Sequence, residues 1–110
     1  NEIISKFMSI VEKHVDAIDN TANAKVNYNN ASFALTDSVN AIYLNHDVKE
    51  LGSNAEIRSA KIASLTSAEQ QAIRLLENEL EIARAKEART KAEVEQMKYI
   101  IRALEAKAEA

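Results

Sequence analysis

The stretch "VKELGSNAE", residues 48–56, holds the one glycine of a 110-residue chain that has no proline. Around it the sequence avoids helix breakers, so this point decides how the chain is folded. Leu51 ends an apolar periodic segment, and Gly52 follows where a left-handed residue without a Cβ closes a helix. Ser53 and Glu56 then have the S-x-x-E spacing of a capping box, which satisfies free N–H groups at a helix start. A stop signal directly followed by a start signal predicts a turn at 52–53. A link that short returns a helix antiparallel to itself. The expected layout is one arm over about 2–51, the turn, and a second arm over about 54–109.

The rest of the composition agrees with helix. Nineteen residues are alanine, charged residues make up 28% and aromatics 5%. Chains of this kind form long helices or coiled coils, and runs of β-branched and aromatic residues between turn signals are missing. The predicted fold class is all-α: a long antiparallel helical hairpin of coiled-coil type, pairing further into a multi-helix bundle.

The second arm has the clearer pattern. Ile73, Leu76, Leu80, Ala83, Glu87, Thr90, Val94, Met97, Ile101, Leu104 and Ala108 keep strict 3,4 spacing, and nine of these eleven are apolar. Five heptads exceed what a coiled-coil seam requires. Glu87 and Thr90 interrupt the seam, where polar residues cost stability but set register. Pairs such as Glu87 with Lys91 and Arg89 with Glu93 add about 0.2–0.5 kcal/mol each.

In the first arm Ile4, Phe7, Val11, Val15, Ile18 and Ala22 follow helical spacing, and Phe33, Val39, Ile42, Tyr43 and Val48 resume it. Nine of the ten asparagines lie in residues 1–54, and asparagine competes for backbone hydrogen bonds. A break within 20–31 is therefore conceivable, yet one continuous helix is expected because no Gly or Pro enforces a turn. Folding at 52–53 sets residues opposite each other where their numbers sum to about 105. Ile4 then meets Ile101, Met8 meets Met97 and Val11 meets Val94. Interface residues are accordingly Ile4, Phe7, Val11, Ile18, Ile73, Leu76, Leu80, Val94, Met97, Ile101 and Leu104. The turn residues are Gly52, Ser53 and Glu56. Ile3, Ile10, Leu35, Leu44 and Leu51 fall outside the tightest seam, and an apolar stripe this wide suits three or more helices. Replacing Leu80 or Ile101 by Asp should dissociate or unfold the assembly.

Two other architectures compete. Gly52 inside a helix costs only about 1 kcal/mol, so a continuous rod is physically allowed. Thr66 and Glu69 also form a capping-box pattern, from which a helix could begin later than Ser53.

The composition bears on function mostly by exclusion. The net charge is −3 and cysteine is absent. Neither half has the basic excess that phosphate backbones require, so no nucleic-acid partner is expected. Without cysteine there is no disulfide, thiolate nucleophile or thiolate metal site. No run of 18 apolar residues exists to span a membrane. Mixed charge on the polar faces and the lack of Trp argue against direct membrane-surface binding.

His14 and His46 are too far apart to share a metal, and neither sits in HExxH or ExxH. Glu77, Glu79 and Glu81 are spread around a helix by their spacing rather than converged. One glycine cannot build a phosphate loop. "NAS" at 30–32 matches a glycosylation acceptor but lies in expected helix. No enzyme activity, cofactor or metal is expected.

The leading function is a structural or interaction module that self-associates, as a dimer, and spaces or joins other protein parts. The alternatives are a small secreted or surface helical hairpin and a segment of a helical signalling or receptor bundle. In length and central turn the chain loosely resembles small secreted hairpins whose turn carries Trp-X-Gly, although its own turn reads "ELG" without Trp. The ending, "LEAKAEA", stops within a helical pattern, so a fragment of a longer protein is expected.

Overall fold

A computed structural model describes residues 1–109. These are 94% helical with no strands. Helix α1 spans Glu2–Asn45, α2 Val48–Leu51, α3 Ala55–Leu65 and α4 Ser67–Glu109. The long helices α1 and α4 pack on each other as a helical hairpin. The chain divides into two compact units, one of residues 1–24 with 80–110 and one of residues 25–79.

Helix α1 runs without interruption through the asparagine-rich 20–31 region. Asn1 caps its start, its Oδ1 accepting from Ile3 N at 3.0 Å. Hydroxyls inside the helix are satisfied by their own backbone. Thr21 Oγ1 donates to Ala17 O, Ser32 Oγ to Tyr28 O and Thr36 Oγ1 to Ser32 O, at 3.0–3.2 Å. This back-bonding to the preceding turn lets Ser and Thr occupy a helix interior at little cost.

The connection is more segmented than the sequence predicts. The first arm ends at Asn45, six residues before the expected stop. His46 Nδ1–H donates to Ile42 O at 3.0 Å, occupying a carbonyl that the end of the helix leaves free. Asp47, extended at φ −66° and ψ 142°, starts the four-residue α2.

Gly52 then turns the chain at φ 151° and ψ 160°. That backbone is open to glycine alone, though it is not the left-handed helical cap expected for it. Its carbonyl accepts from Arg58 Nη1 at 3.3 Å.

The next helix is capped by Asn54 rather than Ser53. Asn54 Oδ1 accepts from Ile57 N at 2.9 Å, and the capping-box role assigned to Ser53 and Glu56 is not filled. Asn54→Ala is therefore expected to cost about 1 kcal/mol, and Ser53→Ala almost nothing. Thermal denaturation of the two variants at equal protein concentration checks this.

Thr66 breaks α3 from α4, but by a different device from the capping box. Its buried hydroxyl donates backward to Ile62 O at 2.8 Å and accepts from Gln70 Nε2 at 3.1 Å. Glu69, its supposed box partner, instead accepts from Ser38 Oγ of α1 at 3.4 Å. Leu51 and Thr66 are almost fully enclosed in the unit formed by residues 25–79.

Candidate helix–helix interface

The residues of α1 with reduced exposure are, in order, Phe7, Ile10, His14, Ala17, Thr21, Ala24, Tyr28, Ala31, Leu35, Ser38 and Ile42, flanked by Val11, Ser32 and Val39. The main series keeps strict 3,4 spacing, the seam geometry of paired helices. On α4 the matching series is Glu69, Ile73, Leu76, Leu80, Ala83, Glu87, Thr90, Val94, Met97 and Ile101. From Ile73 to Ile101 it coincides with the seam read from sequence. Leu104 lies outside it and is 42% exposed.

For the first arm the seam matches the expected residues in part, and Ile4 and Ile18 lie at its edge, in clefts shared with Ile101 and Leu104 and with Glu87, Ala88 and Lys91. Phe7 and Val11 are half-buried, but Ile4 and Ile18, named as facing the second arm, are exposed. Ile10 and Leu35, placed outside the seam by sequence, belong to it. So do His14, Ala17, Thr21 and Ala24, which periodicity alone passes over. Small residues are useful there because they let two helix backbones approach closely.

Within the first unit the pairing is antiparallel. Asn1, Ile3 and Ile4 share a groove with Ile101, Leu104 and Ala108, while His14 reaches Thr90. The His14–Thr90 distance is 2.8 Å, and the two numbers sum to one less than the expected register. Thr90 Oγ1 donates its single proton to Glu87 O at 3.0 Å. It must therefore accept from His14, which fixes the ring proton on Nδ1.

The seam thus contains a polar tie between helices in each unit, the short His14–Thr90 bond in the first and Ser38–Glu69 in the second. Thr90→Val removes the acceptor and leaves a part-buried N–H without its partner, which costs about 1–2 kcal/mol. His14→Ala in that background should cost less than His14→Ala alone. Chemical denaturation of the four proteins in a double-mutant cycle measures the coupling.

Charge pairing contributes little. The pairs expected between Glu87 and Lys91 and between Arg89 and Glu93 do not close. Among the described residues the one ion pair is Lys98–Glu95 at 3.6 Å, exposed at both ends and so worth about 0–1 kcal/mol. No buried side-chain polar atom among the described residues lacks a hydrogen bond.

A second stripe runs along the same half of α1. Ile4, Met8, Val11, Val15, Ile18 and Ala22 are all apolar and also keep 4,3 spacing. Ile4 is 56% exposed, Met8 58%, Val15 49% and Ile18 43%. Each residue of this stripe from Met8 onward directly follows a residue of the α4-facing seam, so the two seams lie about 100° apart around the helix. The more apolar of the two is the one left uncovered.

Among the described residues no cluster of three or more His, Asp or Glu could hold a metal, and no helix is long and apolar enough to cross a membrane. The surface clefts are shallow. One is lined by Lys13, Asp16, Lys86, Arg89 and Glu93, whose charges are mixed, and another by His14, Ile18, Glu87, Ala88 and Lys91.

The fold defines the class: an all-α helical hairpin built on heptad-type contacts. Comparison with protein-family models, with curated proteins and with solved structures gives no match.

Proposed function

We propose that the chain is a structural and interaction module, a helical hairpin that self-associates as a dimer and joins or spaces other protein parts. The exposed stripe on α1 is the observation that carries this reading. A run of half-exposed Ile, Met and Val at seam spacing is what a helix presents to another helix.

Covering a half-exposed Ile, Val or Met contributes about 1 kcal/mol, half of full burial. Four such residues on each of two chains supply a gross stabilisation of about 8 kcal/mol.

In this reading the chain has no catalytic step and no cofactor. Its partners are a second copy and another protein, rather than nucleic acid or a lipid surface. The alternative roles, a secreted hairpin or a receptor-bundle segment, would use the same seam.

Co-purification tests the proposal. An affinity-tagged chain mixed with an untagged one, and equilibrated, should carry the untagged chain through purification in comparable amount. Recovery of the tagged chain alone, at concentrations up to the hundred-micromolar range, would contradict it.

A further inference from the structure

The seam angle says which surface meets the second copy and in which direction it runs. This inference rests on the self-association proposed above and specifies its site. We propose that the outer stripe of α1, Ile4 to Ala22, packs against the same stripe of a second copy with the two helices antiparallel.

The two seams lie about 100° apart around α1. A helix whose two partners lie that far apart sits at the corner of a four-helix bundle, where neighbours are near right angles. A partner opposite α4 would need seams about 180° apart. The second copy therefore lies against one face of the hairpin.

That face has two edges in the unit formed by residues 1–24 and 80–110. One is the apolar stripe. The other is the flank of α4 beside it, reading Arg84, Ala88, Lys91 and Glu95. The shared cleft lined by Ile18, Ala88 and Lys91 shows that the two edges border the same face. A two-fold axis along the helices would lay the apolar stripe on the charged flank of the partner's α4. An axis across the helices lays stripe on stripe and α4 flank on α4 flank. Only the second sets aliphatic residues against aliphatic residues, and it makes α1 antiparallel to α1 of the other copy.

The stripe is self-complementary in that direction. Its gaps of 4, 3, 4, 3 and 4 residues read the same both ways, as an isologous contact requires. Centred at position 13, Ile4 meets Ala22 of the second copy, Met8 meets Ile18 and Val11 meets Val15. On the opposite face of α1 the equivalent positions are Ser9, Lys13, Asp16, Asn20 and Asn23, which offer no such surface.

The absence of cysteine makes disulfide mapping specific. Met8→Cys and Ile18→Cys chains, equilibrated together and oxidised, should give the mixed 8–18 dimer in at least tenfold excess over the 8–8 and 18–18 species. Predominant 8–8 and 18–18 links would mean parallel helices and would overturn the proposal. A wild-type dimer with none of these links would overturn this inference and leave self-association standing through another surface. A wild-type monomer would overturn both. As a second arm, Val15→Asp places a charge on the stripe without touching the α4 seam. It should halve the particle mass with helix content unchanged, and a Val15→Asp dimer would count against the stripe.

Discussion

Gly52→Ala is expected to destabilise the protein by about 2–4 kcal/mol, combining backbone strain with overpacking. At φ 151° and ψ 160° the backbone is one that residues with a Cβ avoid. The added methyl would also collide with Ile57 Cγ2, and would lie 3.0 Å from Ile57 Cβ and 3.1 Å from Arg58 N. Ile57 Cγ2 can swing away because the side chain is half exposed, but Ile57 Cβ is fixed by the backbone. Arg58 N is fixed too, because it donates to Asn54 O in the first turn of α3. For a chain of about 100 residues this corresponds to a fall in Tm of at least about 8 °C. The sign is the informative part. In a continuous rod Gly52 would be a helix-interior glycine, and alanine would stabilise by about 1 kcal/mol. Calorimetry of the two proteins at one concentration separates the architectures, since association makes Tm depend on concentration.

Leu80→Ala should be the other large effect. Leu80 is 4% exposed on the α4 seam, and truncating a buried leucine costs about 2–5 kcal/mol through lost transfer energy and the cavity left behind. Leu75, five residues earlier on the same helix, is 62% exposed. Leu75→Ala should therefore stay within about 0.5 kcal/mol. Urea denaturation of both variants, again at a fixed concentration, reads the contrast. Equal losses for the two leucines would mean that α4 presents a different face to α1.

How far the sequence discloses this structure can be judged helix by helix. On α4 the seam from Ile73 to Ile101 is legible because its apolar residues recur against a background of Glu, Lys and Arg. On α1 periodicity finds Phe7 and Val11 and passes over the small and polar residues that face α4, and the reason is physical. The residues facing α4 include His14, Ala17, Thr21 and Ala24, which hydrophobicity ranks low. They succeed there because alanine permits close approach, Thr21 bonds its own helix and His14 finds Thr90. The stripe that hydrophobicity ranks high, from Ile4 to Ile18, is turned one residue away and is half exposed at Ile4, Met8, Val15 and Ile18.

The connection shows a second limit. Gly52 is legible as a breaker, since no other residue suits its backbone. The end at His46 is not, because an imidazole on the Ile42 carbonyl makes it; Thr66 is legible as a helix start, but its hydroxyl bonds backward to Ile62 rather than forward as a cap. Ser53 and Asn54 are both competent cap residues one position apart, and local spacing does not decide between them. Competing caps of that kind are settled by where the preceding turn delivers the chain.

The central claim is that α1 serves two partners, its own α4 and a second chain. The most direct test is the particle mass by light scattering across a dilution series. The account predicts twice the 12.2 kDa of one chain at micromolar concentration and above, falling toward the single-chain value on dilution. A mass of one chain at every concentration, with helix content intact, would contradict it.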